Sequence, residues 1–124
     1  MSREYAGQRV TFGKPLAQRQ MIQWMLVDSA LELHTTRLLL YETAWRAERD
    51  ENIRSLARML KLQANEMAGR VLDRALQVHG GIGLTTEFPL ERWFRHVRAE
   101  RFEAGTTERL RSALARELLN LNPA

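Results

Sequence analysis

Gln77-Val78-His79-Gly80-Gly81-Ile82-Gly83 places an amide, an imidazole and three glycines where a long helical periodicity stops. Paired glycines allow positive φ at a helix end, and they remove the β-carbons that would keep a bulky anion away from the main-chain amides. Such a turn can close a helix, bind phosphate, or both. Two other stretches have the same character. Arg9-Val10-Thr11-Phe12-Gly13 sets a guanidinium and a hydroxyl beside a glycine, and Gly105-Thr106-Thr107-Glu108 offers hydroxyls and free amides at the start of a helix. Free amides at helix ends, with an arginine nearby, can hold phosphate without a dedicated P-loop. Each piece also has an ordinary use: Arg9 as surface charge, Phe12 as a core plug, Gln77 as a solvated residue, Thr106 and Thr107 as caps.

Composition narrows the chemistry. The 124 residues are 44% hydrophobic and 27% charged, as in an ordinary globular domain with one modest core. Cysteine is absent, so disulfides and thiolate chemistry are excluded, and three scattered histidines without a paired spacing give no reason to expect a metal. The net charge of +4 comes from 19 basic residues, of which only Lys14 and Lys61 are lysine. Guanidinium groups suit phosphate and carboxylate partners. They are interleaved with 15 acidic residues, which favours solvated helix faces over a nucleic-acid surface, the row Arg92, Arg95, Arg98 and Arg101 included. No apolar run reaches membrane-span length and no signal-peptide core follows Met1, so a cytoplasmic location is expected.

The elements that must position these stretches read as helices. Residues Tyr5 to Gly13 read as the end of an element followed by a loop. Pro15 suits a first helical turn, after which Ile22, Met25/Leu26, Ser29, Leu33, Thr36, Leu40 and Ala44 predict one long amphipathic helix to about Arg49. Asp50 or Asn52 then suits the N-cap of a second helix, along Ile53, Leu56, Leu60, Ala64, Met67, Val71, Ala75 and Val78. Pro89 fits the first position of a shorter helix to about Arg101, and Thr106 caps a fourth through Leu110, Leu114 and Leu118 to Leu121. No strand or internal repeat is apparent. The expectation is an all-α antiparallel bundle, a single domain over residues 1–124.

Taken together, Tyr5-Ala6-x-x-Arg9-Val10-Thr11-Phe12-Gly13-Lys14-Pro15-Leu16, then Gln20, Gln77-x-x-Gly80-Gly81-x-Gly83, Pro89 and Gly105-Thr106-Thr107-Glu108 resemble, in order and spacing, the C-terminal helical domain of the acyl-CoA dehydrogenases. The resemblance implies FAD as cofactor. It also implies oxidation of acyl-CoA thioesters, in which a carboxylate takes the α-proton, hydride passes to flavin, and an electron-transfer flavoprotein takes the electrons. It places Arg9 at the FAD pyrophosphate, with Thr11, Phe12 and Gln20 on the same surface and Gln77, Val78, His79, Gly80 and Gly81 at the ADP portion of a neighbouring subunit's cofactor. Thr106, Thr107 and Glu108 would face the flavin of their own subunit, which implies a homodimer or homotetramer.

Two departures qualify that implication. The position before Gly105-Thr106, where many members carry the catalytic glutamate, is Ala104, and Glu103 is the fallback base. The first bundle helix and the family's N-terminal helical and β-domains are absent from the 124 residues, so acyl-CoA would be met through those missing domains, and catalysis by this chain alone is not expected. The alternative is a non-catalytic helical module that only dimerises.

Overall fold

The structure, a computed structural model, describes residues 1–121. In chain order these form α1 (Ser2–Gln8), β1 (Val10–Thr11), β2 (Lys14–Pro15), a 3-10 turn (Leu16–Gln18), α2 (Gln20–Ala47), α3 (Arg54–His79), a second 3-10 turn (Gly80–Leu84), α4 (Leu90–Glu100) and α5 (Thr107–Leu118). The all-α antiparallel bundle expected from the periodicity is what is observed. The helix that leads into Arg9 is represented by the seven residues of α1, which bury Ala6 completely.

Helix α3 is the axis of the molecule. Its partners show each neighbour's direction. Along α2, Thr36 accepts from Gln63 (3.4 Å) while Glu32, one turn earlier, accepts from Arg70 (2.9 Å) and Arg74 (2.7 Å), so the two helices are antiparallel. Asn65 Nδ2 donates to the Glu100 carbonyl at 3.0 Å, bringing the end of α4 to the middle of α3. Arg111 pairs with Glu66 at 2.6 Å and Glu117 with Ser55 and Arg58, which runs α5 back along the first half of α3. α3 ends where Gly80 takes φ 64°, ψ −148°, a conformation essentially reserved to glycine.

Several local readings are corrected. A two-stranded antiparallel hairpin, Val10 opposite Pro15 and Thr11 opposite Lys14, stands where no strand was expected. Strands of two residues are too short for alternation to register. Its two loop residues, Phe12 (φ 49°) and Gly13 (φ 77°), both have positive φ, the signature of a primed turn. Pro15 therefore ends a strand, and α2 begins only at Gln20. Asp50 does not open α3. It sits at φ 55° with its amide on Ala47 O (3.1 Å) and the Glu51 amide on Arg46 O (3.2 Å), a Schellman closure of α2. Asn52 Oδ1 accepts from the Arg54 amide at 3.1 Å, while Ile53 holds the cap position itself. Pro89 likewise precedes the first residue of α4 rather than occupying it. On α2, Leu40 and Ala44 are exposed and Thr43 is buried instead, because a 3.6-residue repeat drifts round over so long a helix.

Ion pairs across α3 make the bundle acid-sensitive. Burial pushes the Glu32 carboxyl up, but hydrogen bonds from Arg74 and Arg70 outweigh it and leave the group below the usual carboxylate range. The hydrogen bond from Arg111 does the same for Glu66, against the opposing effect of burial. For carboxylates depressed in the folded state the stabilisation is complete above their unfolded pKa of ~4.3 and is lost as pH falls through the folded values. Thermal midpoints should therefore fall below about pH 4.3, and Glu32→Gln should flatten that fall. Arg74 Nη1 is buried without a partner already. Glu32→Ala, which strips Arg74 of its carboxylate too, is expected to cost about 1–3 kcal/mol in urea denaturation.

Candidate functional site

The hairpin projects Phe12 into solvent. Its side chain is 97% exposed, on a backbone in the left-handed region that a bulky residue rarely adopts. Arg19 braces the hairpin from behind: its guanidinium donates to the Thr11 carbonyl (2.5 Å) and hydroxyl (3.0 Å) and lies 5.5 Å from the Phe12 ring centroid. The Leu16 amide closes the base onto Arg9 O at 2.9 Å. Arg9 itself is exposed at the end of α1, and Gln20, also exposed, opens α2 directly after Arg19.

An aromatic stack joins α1, which leads into this hairpin, to the glycine turn. Tyr5 and His79 stack at 4.4 Å between ring centroids, with the Phe88 ring edge-on at 5.8 Å from Tyr5 and 4.7 Å from His79. The Tyr5 hydroxyl donates to the His79 carbonyl at 3.3 Å. Arg9 follows Tyr5 by one helical turn, its amide on Tyr5 O at 2.8 Å, so Arg9 and Gly80 share one end of the bundle. His79 is 4% exposed; its Nδ1 donates to Ala75 O at 2.7 Å, and Nε2 is buried with no partner. Val78, 3% exposed, also turns inward. Both residues are buried beneath the exposed Gln77, Gly80 and Gly81, where a β-carbon on either glycine would meet no atom within 4 Å.

The third stretch lies elsewhere. Thr106 Oγ1 accepts from the Arg109 amide at 3.3 Å and caps α5 as its sequence predicts. Thr107 is buried and donates to the Glu108 carboxylate at 3.0 Å. That carboxylate is held below the usual range by its own backbone amide, then by the Thr107 and Thr106 hydroxyls. The start of α5 is one turn from Arg111, hence about level with Arg70, and so some 15 Å along α3 from Gly80. Ahead of it, Ala104 (φ 51°) and Gly105 (φ 102°) line a concavity with Glu108, Arg109 and Arg116, while Glu103 is exposed and does not line it. Thr106→Ala is expected to lower stability by about 1 kcal/mol, read as a lower thermal midpoint.

The acyl-CoA dehydrogenase C-terminal domain, as a family, matches residues 1–119. The chain belongs to that family. (R)-benzylsuccinyl-CoA dehydrogenase of Thauera aromatica is 44% identical to it over 117 residues, 94% of this chain and 29% of that protein. Butyryl-CoA dehydrogenase from Megasphaera elsdenii superposes with a TM-score of 0.91 at 32% identity, covering 95% of this chain and 31% of that one. The FAD complex of PigA superposes at 0.90 with 30% identity, covering 94% and 30%. The chain thus spans under a third of the length of these relatives. Within this acyl-CoA dehydrogenase domain, sequence reasoning missed Arg19 as the brace of the hairpin and Tyr5 and Phe88 as the partners of His79. Arg19 precedes α2, three residues before the apolar line begins at Ile22, and a charge at a helix start carries no sign of what it braces.

Proposed function

We propose that this acyl-CoA dehydrogenase domain binds FAD and serves an oxidoreductase that α,β-dehydrogenates acyl-CoA thioesters. The carrying observation is Phe12, an aromatic side chain held fully exposed on a strained turn with Arg19 behind it and Arg9 at the hairpin's base. Strain of that kind persists where surrounding structure enforces it, and it clusters at ligand sites. The residues suit a dinucleotide. Arg9 presents a fork for two pyrophosphate oxygens, Thr11 and Gln20 supply hydrogen bonds, and Phe12 supplies apolar contact. The open surface at Gly80 and Gly81, with Gln77 beside it, would let the ADP portion approach the main chain closely, with Val78 and His79 holding the turn from within.

Bound FAD supplies the hydride acceptor. Thr106, Thr107 and Glu108, some 15 Å along α3 from the glycine turn, would face a different part of the cofactor or a second copy of it. That separation supports a site shared between subunits of a homodimer or homotetramer. Glu103 is the only carboxylate of this chain next to the family's base position, and its use as base requires the Ala104 turn to rotate. The acyl chain, the CoA and an electron-transfer flavoprotein would be met by the other domains of a complete enzyme. A second reading, a non-catalytic dimerisation module, draws support from the apolar outer face of α2. Flavin titration separates the two. Phe12→Ala should leave the thermal midpoint without FAD unchanged and weaken FAD binding about tenfold, whereas a pure dimerisation module would show no FAD dependence in either protein.

A further inference from the structure

We infer that the cleft between α3 and α4 is an anion site, which takes a phosphate group on Arg98 and Arg101. The first observation is Gly69. A glycine inside a 26-residue helix is unfavourable relative to alanine, and here the space it frees is filled by the guanidinium of Arg101. A β-carbon at Gly69 would stand 3.0 Å from Arg101 Nη2 and 3.8 Å from its Cζ. That guanidinium is partly buried, and among the described residues it has no hydrogen-bond acceptor and no ion-pair partner. Glu66 feels its charge but is already engaged by Arg111 at 2.6 Å. Glu100, the residue before it, is taken by Lys61 at 3.3 Å.

Charge and shape specify the occupant. The cleft has a volume of about 270 Å³, bordered by Arg70 and Asp73 from α3 and by Phe94 and Arg98 from α4. Arg70 commits only its Nε, to Glu32 at 2.9 Å. Arg98 lies 4.8 Å from the centroid of the Phe102 ring, which fixes its position without using an acceptor. Around the cleft Arg70, Arg74, Arg98, Arg101 and Arg111 stand against Glu32, Glu66 and Asp73, so two positive charges are left to meet a dianion. Guanidinium pairs bind phosphate oxygens through forked, charge-assisted hydrogen bonds. The row Arg92, Arg95, Arg98 and Arg101 does not form one stripe, because a spacing of three falls back by about 60° per step on an α-helix. Arg95 accordingly pairs with Glu91 at 2.9 Å, and only the last two members reach the cleft. None of the cleft residues belongs to the proposed flavin surface, so the inference stands or falls independently of FAD.

Calorimetric titration of the whole chain with inorganic phosphate at low ionic strength should show one saturable site. Arg98→Gln/Arg101→Gln should weaken it about tenfold or more. Asp73→Asn should tighten it, since the only carboxylate bordering the cleft opposes the anion. Gly69→Ala should also weaken binding while its thermal midpoint holds or rises, because alanine suits the helix and only the far end of Arg101 has to move. Arg9→Ala should bind phosphate as the wild type does. Ribose 5-phosphate identifies the source: tighter binding than inorganic phosphate means that the group arrives on a larger molecule, and equal binding means free phosphate. No saturable binding, an affinity indifferent to the Gln pair, or a loss in Arg9→Ala as large as in the Gln pair would each overturn the inference.

Discussion

Gly80→Ala should lower the thermal midpoint of this domain by about 5–10 °C, the equivalent of ~1–3 kcal/mol of backbone strain. Gly81→Ala, next to it, should leave the midpoint unchanged or slightly raised. The difference follows from the backbone. Gly80 sits at φ 64°, ψ −148°, which L-residues avoid, whereas Gly81 lies outside the positive-φ region and has open space where a β-carbon would go. Alanine at Gly81 removes only unfolded-state freedom, which stabilises by a few tenths of a kcal/mol or more. Flavin affinity should respond in both variants, because a methyl group at either position stands between a dinucleotide and the main chain. Differential scanning calorimetry of the two proteins, with and without FAD, measures both effects, and a Gly80→Ala midpoint equal to wild type would remove the strain argument.

Arg9→Ala should weaken FAD binding about 10–100-fold while leaving the flavin-free midpoint within a degree or so of wild type. The exposed guanidinium follows the last turn of α1, where nothing in the bundle's packing requires it. Arg9→Lys should recover part of the loss, since lysine keeps the charge but gives up the bidentate fork. Quenching of flavin fluorescence gives the three affinities directly. Equal affinities in all three would place the diphosphate somewhere other than the base of the hairpin.

The long elements were legible because their signals are long. α3 presents one apolar face through seven turns, and the stop at Gly80 and the Thr106 cap each have a local cause that sequence exposes. The hairpin was not legible: two-residue strands carry no alternation, and a Phe-Gly pair is an unusual choice for a primed turn. Asp50 was misread because a residue that suits an N-cap also tolerates the left-handed conformation that closes the helix before it. Tyr5 and Phe88 were invisible as partners of His79 because contacts between residues 74 and 9 positions apart leave no periodic trace.

The central claim is that the hairpin and the glycine turn hold one dinucleotide. The most direct measurement is FAD titration followed by thermal shift, on the chain alone and together with the helical and β-domains that precede this domain in the family. The account predicts saturable stabilisation in at least the assembled protein, lost together in Arg9→Ala, Phe12→Ala and Gly81→Ala although each folds like wild type without flavin. No stabilisation in either form, or stabilisation indifferent to all three substitutions, would contradict it.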